Sequence, residues 1–211
     1  MKDVLLILSG YLLGSMPWGY WLPRLVKGVN IRTVGSGNTG AANVWRTQGF
    51  KLGLCVALLD LAKGVAAALL GMWLGSELVG LFAGIAALVG HWRPLFMGFA
   101  RGGKAVATCG GAFLAVAPMV GGIGALVWLV TFVLFRYASV ASIVAALSLP
   151  AAAVLLGEPW PVIAFATLAA LAVIVLHRPN ISRLRAGTET RFRFRKPAAP
   201  EIPGRAARRS S

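Results

Sequence analysis

The chain has 211 residues, of which 58% are hydrophobic and 13% are charged. Ordinary water-soluble domains are about 45–50% apolar, so this composition argues against a soluble domain and predicts a protein that folds within a bilayer. The formal net charge is +15, from 21 Lys and Arg against 6 Asp and Glu. Because the basic residues gather between the apolar segments, the charge is typical of loops retained in the cytoplasm beside anionic lipid.

Six apolar segments predict membrane-spanning helices. The first follows the start Met-Lys-Asp without a clear cleavage site, so we interpret it as a span and not as a signal peptide. The third would be only about 18 Å long against a hydrocarbon core of about 30 Å, so it must tilt little, thin the bilayer or be extended by its flanks. The segments are 4–22, 52–73, 78–89, 105–135, 138–157 and 161–176.

The segment 105–135 decides the predicted topology. As one helix it would reach about 46 Å, and as two helices it would give spans of about 22 Å each. Pro118 and Gly121-Gly122 lie where a turn would fall. Two crossings also bring the basic tail to the same side as the basic loop 90–104, in line with the positive-inside tendency.

The sequence therefore predicts an all-α, polytopic transmembrane bundle of seven spans, with a periplasmic N-terminus and a cytoplasmic C-terminus. Residues 1–196 would form a single transmembrane domain. Its polar cytoplasmic loops are about 23–51, 90–104 and 177–190. Residues 197–211 have little to bury and are expected to form a basic, disordered tail, either attracted to anionic lipid or without a role.

The first cytoplasmic loop contains a run of small and amide side chains. Residues 35–43 read Gly-Ser-Gly-Asn-Thr-Gly-Ala-Ala-Asn, and Arg46 follows. Glycines let backbone N–H groups approach an anion closely, and a guanidinium adds a bidentate phosphate contact. The run indicates a phosphate site, although the same residue types also form plain turns.

The second loop runs from His91 to Gly102-Gly103-Lys104 and leads directly into an apolar segment. A Gly-Gly-Lys sequence at a helix N-terminus favours an anion site, since free N–H groups, the helix dipole and the ammonium group can meet there. The spacing of a Walker loop is absent. Alternatively, Arg101 and Lys104 are ordinary positive-inside anchors.

The third cluster closes the last span and runs from His177 to Glu189. A lone histidine at a membrane boundary is more often a hydrogen-bonding anchor than a base. However, the topology predicted from segment lengths and basic residues places all three polar clusters on one side of the membrane. That prediction does not use the motifs within the clusters. This coincidence favours a single site built from the three clusters.

Asp60 and Lys63 lie three residues apart in the second span and share a helix face. Ionisable groups at that depth are functional candidates, yet a buried structural pair is at least as good an interpretation. Lys63-Gly64 could alternatively serve the substrate if a polar cavity penetrates that far. Cys55 and Cys109 lack the spacing of a metal site or a disulfide framework and are interpreted as packing residues.

These clusters, in this order and between these spans, resemble the bacterial acyl-phosphate:glycerol-3-phosphate acyltransferases. The resemblance covers about residues 1–190. Its carriers are Gly35-Ser36-Gly37-Asn38-Thr39-Gly40-Ala41, Asn43, Arg46, Leu59-Asp60, Lys63-Gly64, Gly90-His91, Pro94, Phe96, Gly102-Gly103-Lys104, Ala107-Thr108, His177, Asn180-Ile181, Arg183-Leu184, Gly187 and Glu189. This sequence departs from the family pattern at Ala42, Ala105 and Pro179, which bears on loop geometry because alanine is poorly suited to positive φ.

The resemblance implies a seven-span enzyme of the bacterial inner membrane with its active site at the cytoplasmic face. It would transfer a fatty acyl group from acyl-phosphate, and not from acyl-coenzyme A, to the 1-hydroxyl of sn-glycerol 3-phosphate. The products, 1-acyl-glycerol 3-phosphate and phosphate, belong to the first acylation step of phospholipid synthesis. The resemblance implies neither a metal nor a cofactor, and a soluble enzyme that supplies acyl-phosphate is a candidate partner.

The resemblance also implies the site residues. Catalytic roles fall on Ser36, Arg46, Lys104, His177 and Asn180. Substrate-binding roles fall on Gly35, Gly37, Asn38, Thr39, Gly40, Asn43, His91, Gly102, Gly103, Thr108, Arg183 and Glu189. The base that takes the hydroxyl proton is either His177 or, slightly favoured, a substrate phosphate.

A competing class is a transporter or channel for a phosphorylated solute. It would also need positive groups at a cytoplasmic mouth and a charged pair such as Asp60 and Lys63 within a span. The apolar outer ends of the segments disfavour this class, because a transporter needs polar groups through the outer half. Nucleic-acid binding is disfavoured because the basic residues are dispersed among several loops.

Overall fold

The computed structural model describes residues 1–192, and every regular element within them is helical. The tail predicted at 197–211 lies outside these residues. The helices are α1 (Lys2–Gly14), α2 (Trp18–Lys27), α3 (Ala41–Gln48), α4 (Phe50–Leu74), α5 (Glu77–Trp92), α6 (Val106–Val116), α7 (Pro118–Phe135), α8 (Ala138–Leu155), α9 (Trp160–Leu176) and α10 (Arg178–Arg185), with short 3₁₀ turns at Ile31–Thr33 and Leu95–Met97.

The predicted all-helical class is confirmed. Among the described residues, four helical stretches are long and apolar enough to cross a membrane: Phe50–Leu74, Glu77–Met97, Pro118–Phe135 and Ala138–Leu155. The pair α9 and α10, bent by 55°, makes a fifth if it counts as one span. The seven crossings and the orientation of the termini stay predictions.

The first apolar segment does not form the single helix predicted for 4–22. Helix α1 ends at Gly14, and α2 begins at Trp18 after Pro17. Proline lacks an N–H donor and disfavours helical backbone at the preceding residue, so the chain bends there. Helix α2 is a separate ten-residue element that packs against α4 and ends at Gly28, in the left-handed conformation.

The segment 105–135 breaks where the sequence predicts a turn. Helix α6 ends at Val116, and α7 begins with Pro118 in its first turn, where the missing N–H is not needed. The two helices are in backbone contact close to the break, since a Cβ on Gly121 would lie 2.6 Å from the backbone nitrogen of Leu114. The break therefore produces two closely packed helices in place of one long one.

Glycines bring α4 and α6 into backbone contact. A Cβ on Gly64 would lie 2.1 Å from the carbonyl oxygen of Thr108, and one on Gly111 would lie 2.1 Å from that of Leu61. Small residues at such crossings are typical of helix packing in membranes. Helices there associate through close van der Waals contact, because lipid provides no hydrophobic driving force. On its other faces α6 joins the apolar core, in which Phe113 stacks on Phe165 of α9 at 4.4 Å between ring centroids.

Helix α1 also packs on α4 and α5, while α8 packs between α7 and α9. The two groups meet chiefly through α6, which contacts α4, α5, α7 and α9. This arrangement leaves a cleft lined chiefly by residues of α3, α4, α6, α7 and α8. All three polar clusters reach the same end of this cleft.

We expect Gly111→Ala to lower thermal stability in detergent, because its Cβ would overlap the Leu61 carbonyl oxygen. Overpacking of this kind costs about 1–3 kcal/mol. Gly110→Ala is the matched control on the same helix, since nothing lies within 4 Å of its added Cβ. Equal melting temperatures for the two variants would contradict the tight crossing of α4 and α6.

Candidate active site

The Asn43 side chain holds the first loop in shape. Its Nδ2 donates to the carbonyl oxygens of Asn38 at 2.9 Å, Val34 at 3.1 Å and Ile31 at 3.4 Å, and its Oδ1 accepts from the backbone N–H of Ser36 at 3.0 Å. The residue is 3% exposed. A buried amide with these partners is a scaffold, so its main effect on a ligand is through the loop that it shapes.

The loop around Asn43 leaves the Ser36 side chain exposed at the rim of a cavity. Gly35 has a φ of +59°, and a Cβ there would lie 2.4 Å from Asn43 Oδ1, so glycine is required. Asn38 Oδ1 accepts from the N–H of Gly40 at 2.8 Å, which turns the chain into α3. Loop shape therefore explains several of the small residues.

Arg46 lies on α3 with its guanidinium partly buried. Its Nε donates to the carbonyl oxygen of Ala42 at 3.1 Å, and its Cζ lies 5.1 Å above the ring of Phe192. These contacts fix the plane of the guanidinium. Arg46 lines the cavity, and among residues 1–192 no hydrogen bond engages its two terminal nitrogens.

Backbone hydrogen bonds of its glycines join the second loop to the end of α5. The N–H of Gly102 donates to the carbonyl oxygen of Trp92 at 2.9 Å, and the N–H of Gly103 to that of His91 at 3.2 Å. These two N–H groups are therefore not free for an anion. Lys104 and the first turn of α6 remain as donors on this loop.

Glu189 organises the third cluster. Its Oε1 accepts from Ser139 Oγ at 2.8 Å and from Asn180 Nδ2 at 2.7 Å, and its Oε2 accepts from Arg183 Nε at 2.7 Å. Burial alone would raise the pKa of Glu189, but these hydrogen bonds and the charge of Arg183 lower it below its ordinary value. The buried carboxylate thus ties α10 to α8 and orients the amide of Asn180.

Lys104 and Asn180 join the second and third clusters, because the Lys104 ammonium donates to Asn180 Oδ1. Burial lowers the pKa of Lys104 from 10.5 to about 8, while the carboxylate of Glu189 opposes that shift. A phosphate placed beside the ammonium would favour its charged form. The lysine is therefore suited to bind an anion in a site with little water.

His177 lies at the bend between α9 and α10 and is 3% exposed. Its Nδ1 lies 2.8 Å from the carbonyl oxygen of Val173. A carbonyl oxygen can only accept, so Nδ1 carries the proton and Nε2 has the lone pair. Because His177 lines the cavity, Nε2 can accept a hydrogen bond or a proton from a hydroxyl group there.

The three clusters meet at one end of a cavity of about 420 Å³. Beyond this polar end, its walls are apolar faces of α4, α6, α7 and α8, including Leu58, Leu114, Ala125 and Leu149. Cations at one end and alkyl-sized apolar space beyond suit a ligand with an anionic head and a long chain. Within residues 1–192 no group of three His, Cys, Asp or Glu side chains could hold a metal ion.

The structure separates the predicted residues into two sets. The cavity is lined by Ser36, Asn38, Gly40, Asn43, Arg46, His91, Lys104, His177 and Asn180. The residues that lie behind it or beside it are Gly35, Gly37, Thr39, Gly102, Gly103, Thr108, Arg183 and Glu189. The second set shapes loops, packs or holds the first set.

Two polar cavity residues escaped the sequence argument. Ser139 and Ser142 on α8 line the cavity; the first donates to Glu189, and the second accepts from Trp128 Nε1 at 3.2 Å. Their spacing of three residues on an apolar helix is the only sequence signal, and serine in a membrane helix usually bonds its own backbone.

The departures at Ala42, Ala105 and Pro179 are accommodated differently. Ala42 is helical and accepts the Arg46 bond, and Pro179 lies in the first turn of α10, where proline fits. Ala105 has a φ of +57°, the left-handed region that disfavours alanine. Only Ala105 carries the backbone strain that its sequence position predicts.

Comparison with known proteins gives a consistent set of relatives. The family model for glycerol-3-phosphate acyltransferase matches residues 4–187. Proteins of that name from Desulforudis audaxviator and a Synechococcus species are each 46% identical, over 193 residues (92% of this chain, 97% of the relative) and 192 residues (91% and 94%).

Two crystal structures of PlsY, an integral membrane glycerol 3-phosphate acyltransferase, have the same fold. The glycerol 3-phosphate form gives a TM-score of 0.87 at 42% identity, and the lysophosphatidic acid form gives 0.84 at 40%. Each comparison covers 92% of this chain and 96% of the other.

We expect Ala105→Gly to stabilise the protein by about 1 kcal/mol, because glycine adopts the left-handed conformation without the Cβ penalty. Ala107→Gly is the matched control: Ala107 lies within α6, where glycine should destabilise by about 1 kcal/mol. Melting curves of the two variants should shift in opposite directions. A fall in melting temperature for Ala105→Gly would contradict the strained backbone at this position.

Proposed function

Because the chain belongs to the glycerol-3-phosphate acyltransferase family, we propose that it transfers a fatty acyl group from acyl-phosphate to the 1-hydroxyl of sn-glycerol 3-phosphate. The products are lysophosphatidic acid and inorganic phosphate. One observation carries the proposal: Arg46, Lys104, His177 and Asn180 line one end of a cavity whose lining is otherwise mostly apolar. The first acylation step of phospholipid synthesis requires this combination of anionic and apolar binding.

The charges of the site support acyl-phosphate as the proposed donor. An acyl-phosphate is a mixed anhydride and is already activated, so the protein needs no covalent intermediate. It must bring two mutually repelling phosphates together and stabilise the one that leaves. The two cations at the polar end, Arg46 and Lys104, are suited to offset this repulsion.

The two cations would serve different phosphates. Lys104, between the glycine loop and Asn180, would bind the phosphate of the acceptor, which is unchanged by the reaction. Arg46, whose two terminal nitrogens have no hydrogen bond within residues 1–192, would bind the donor phosphate as its charge grows. Ser36 at the cavity rim would donate a hydrogen bond to the same group.

The reaction balances without an added reagent. The 1-oxygen of glycerol 3-phosphate forms a bond to the acyl carbon, and the bond from that carbon to the phosphate oxygen breaks. The hydroxyl proton passes to an oxygen of the departing phosphate. His177 Nε2 is the alternative acceptor for this proton, since it has a lone pair that faces the cavity.

The acyl chain would lie along the apolar faces of α4, α6, α7 and α8 that line the cleft. A chain that enters from the bilayer exchanges one apolar environment for another, so its length costs little to accommodate. A cleft between helices can also open sideways to lipid, which suits a substrate and a product that are both lipids.

The proposed topology has seven crossings, made by α1, α4, α5, α6, α7, α8 and α9. It places the active site at the cytoplasmic face of a bacterial inner membrane and the first residues outside. Support comes from charge: the polar end carries most of the Lys and Arg, whereas Glu77 and Glu158 lie at the turns of the opposite end.

The direct test gives purified protein acyl-phosphate and labelled glycerol 3-phosphate, with acyl-coenzyme A in a parallel reaction. We expect labelled lysophosphatidic acid, with an equal amount of inorganic phosphate, only from acyl-phosphate. Comparable product from the thioester would contradict the proposed donor while leaving the family assignment intact.

A second test separates acceptor binding from chemistry. Gly103→Ala should mainly raise KM for glycerol 3-phosphate, because it displaces the loop that carries Lys104. Arg46→Ala should mainly lower kcat, by a factor of about 10² or more if it resembles other lost charge-stabilising donors. Arg46→Lys should restore part of the rate, since lysine lacks the planar pair of donors. A KM defect alone in Arg46→Ala would contradict this division of roles.

A further inference from the structure

A buried ion pair lies between the membrane helices, close to the glycine loop. Lys63 Nζ is 2.8 Å from Asp60 Oδ1 and donates to the carbonyl oxygen of Met16 at 2.9 Å. Asp60 is 2% exposed and Lys63 is 4% exposed. The pair therefore joins α4 to the break between α1 and α2. Because the lysine already has these two partners, a substrate phosphate is not needed to explain it.

His91, at the end of α5, extends this pair toward α6. Its Nδ1 lies 3.5 Å from Asp60 Oδ1 and 3.3 Å from Thr108 Oγ1. Because a carboxylate only accepts and a hydroxyl can donate or accept, this polar corner favours the tautomer with the proton on Nδ1. Both His91 and Thr108 are buried, which strengthens polar contacts relative to those in water.

The other edge of the imidazole supports the glycine loop. A Cβ built on Gly103 would lie 2.0 Å from His91 Nε2, 2.9 Å from Cε1 and 3.0 Å from Cδ2. All three nearest atoms belong to this one ring. The Gly103 N–H also donates to the His91 carbonyl oxygen. The ring and backbone of His91 thus hold Gly103 from two directions, one residue before Lys104.

We propose that Asp60, Lys63 and His91 form a positioning network that fixes the Gly102–Lys104 loop, so that the Lys104 ammonium reaches Asn180. The inference rests on the proposed function, in which Lys104 binds the acceptor phosphate. It assigns His91 a role through Gly103 and not by contact with substrate. It also explains the buried charges. Burying ionisable groups within membrane helices costs free energy, so such groups usually have a functional role.

A suppressor test follows from the geometry. Gly103→Ala forces its methyl group into the His91 ring, and His91→Ala removes the support behind the loop, so each should raise KM for glycerol 3-phosphate about tenfold. In the double variant the methyl group introduced at position 103 occupies space that the imidazole vacated. Its KM should lie about tenfold below the product of the two single effects, a coupling of about 1.4 kcal/mol. Multiplicative single effects would overturn the proposal.

The ion pair is tested with two charge-free variants, because removing one charge alone would leave its partner buried and could unfold the protein. Asp60→Asn with Lys63→Met keeps an acceptor for the His91 N–H, whereas Asp60→Leu with Lys63→Met does not. We expect a KM within about threefold of the wild type for the first and about tenfold higher for the second, with similar kcat. Equal KM values in two folded variants would show that the pair only packs, and would overturn its positioning role.

Calorimetric binding of glycerol 3-phosphate to the same variants gives a readout that does not require turnover. It should show the same order of affinities as the KM values. If the wild type bound glycerol 3-phosphate but transferred no acyl group from any donor, the proposed function would fail while the loop couplings could still be measured. If the wild type were active and the couplings absent, the inference alone would fail.

Discussion

The contact between Lys104 and Asn180 is the interaction on which the site depends. It joins the loop before α6 to the helix after the last apolar segment, two regions separated by 76 positions in the chain. Behind Asn180 stands the Glu189 carboxylate, which also holds Ser139 and Arg183. Without this connection the second and third polar clusters would lose the side-chain hydrogen bond that joins them. With it, an ammonium group is fixed at the polar end of an apolar cavity.

Burial makes the Lys104 ammonium effective in binding an anion. Burial lowers the pKa of Lys104 to about 8, so the charged form is less favoured than in water and gains more from an arriving anion. Arg46 keeps its charge across the accessible pH range, and two of its nitrogens remain as donors. One phosphate can therefore be held by Lys104, whose charged form becomes more favoured when an anion binds. Another can be held by Arg46, which is charged with or without an anion.

Much of the architecture could be predicted from residue patterns. Pro118 within an overlong apolar stretch predicts the break between α6 and α7, and charge distribution predicts that the three clusters lie together. The polar bonds of Asn43 and Glu189 could not be predicted, because their partners are set by tertiary contacts. The bend at Pro17 was missed because the apolar pattern runs through it. Phe192, which stacks on Arg46, lies beyond the family match that ends at residue 187.

The most direct measurement of the central claim is the pH dependence of kcat/KM for glycerol 3-phosphate, from about pH 7 to about pH 9.5, in the wild type and in Lys104→Arg. This ratio reports ionisations of the free protein, so the wild type should lose about tenfold per pH unit above about pH 8 as the ammonium deprotonates. Arginine stays charged throughout, so the variant should lack this fall even if its overall rate is lower. A wild-type profile without the fall, or the same fall in Lys104→Arg, would contradict a phosphate site built on the Lys104 ammonium.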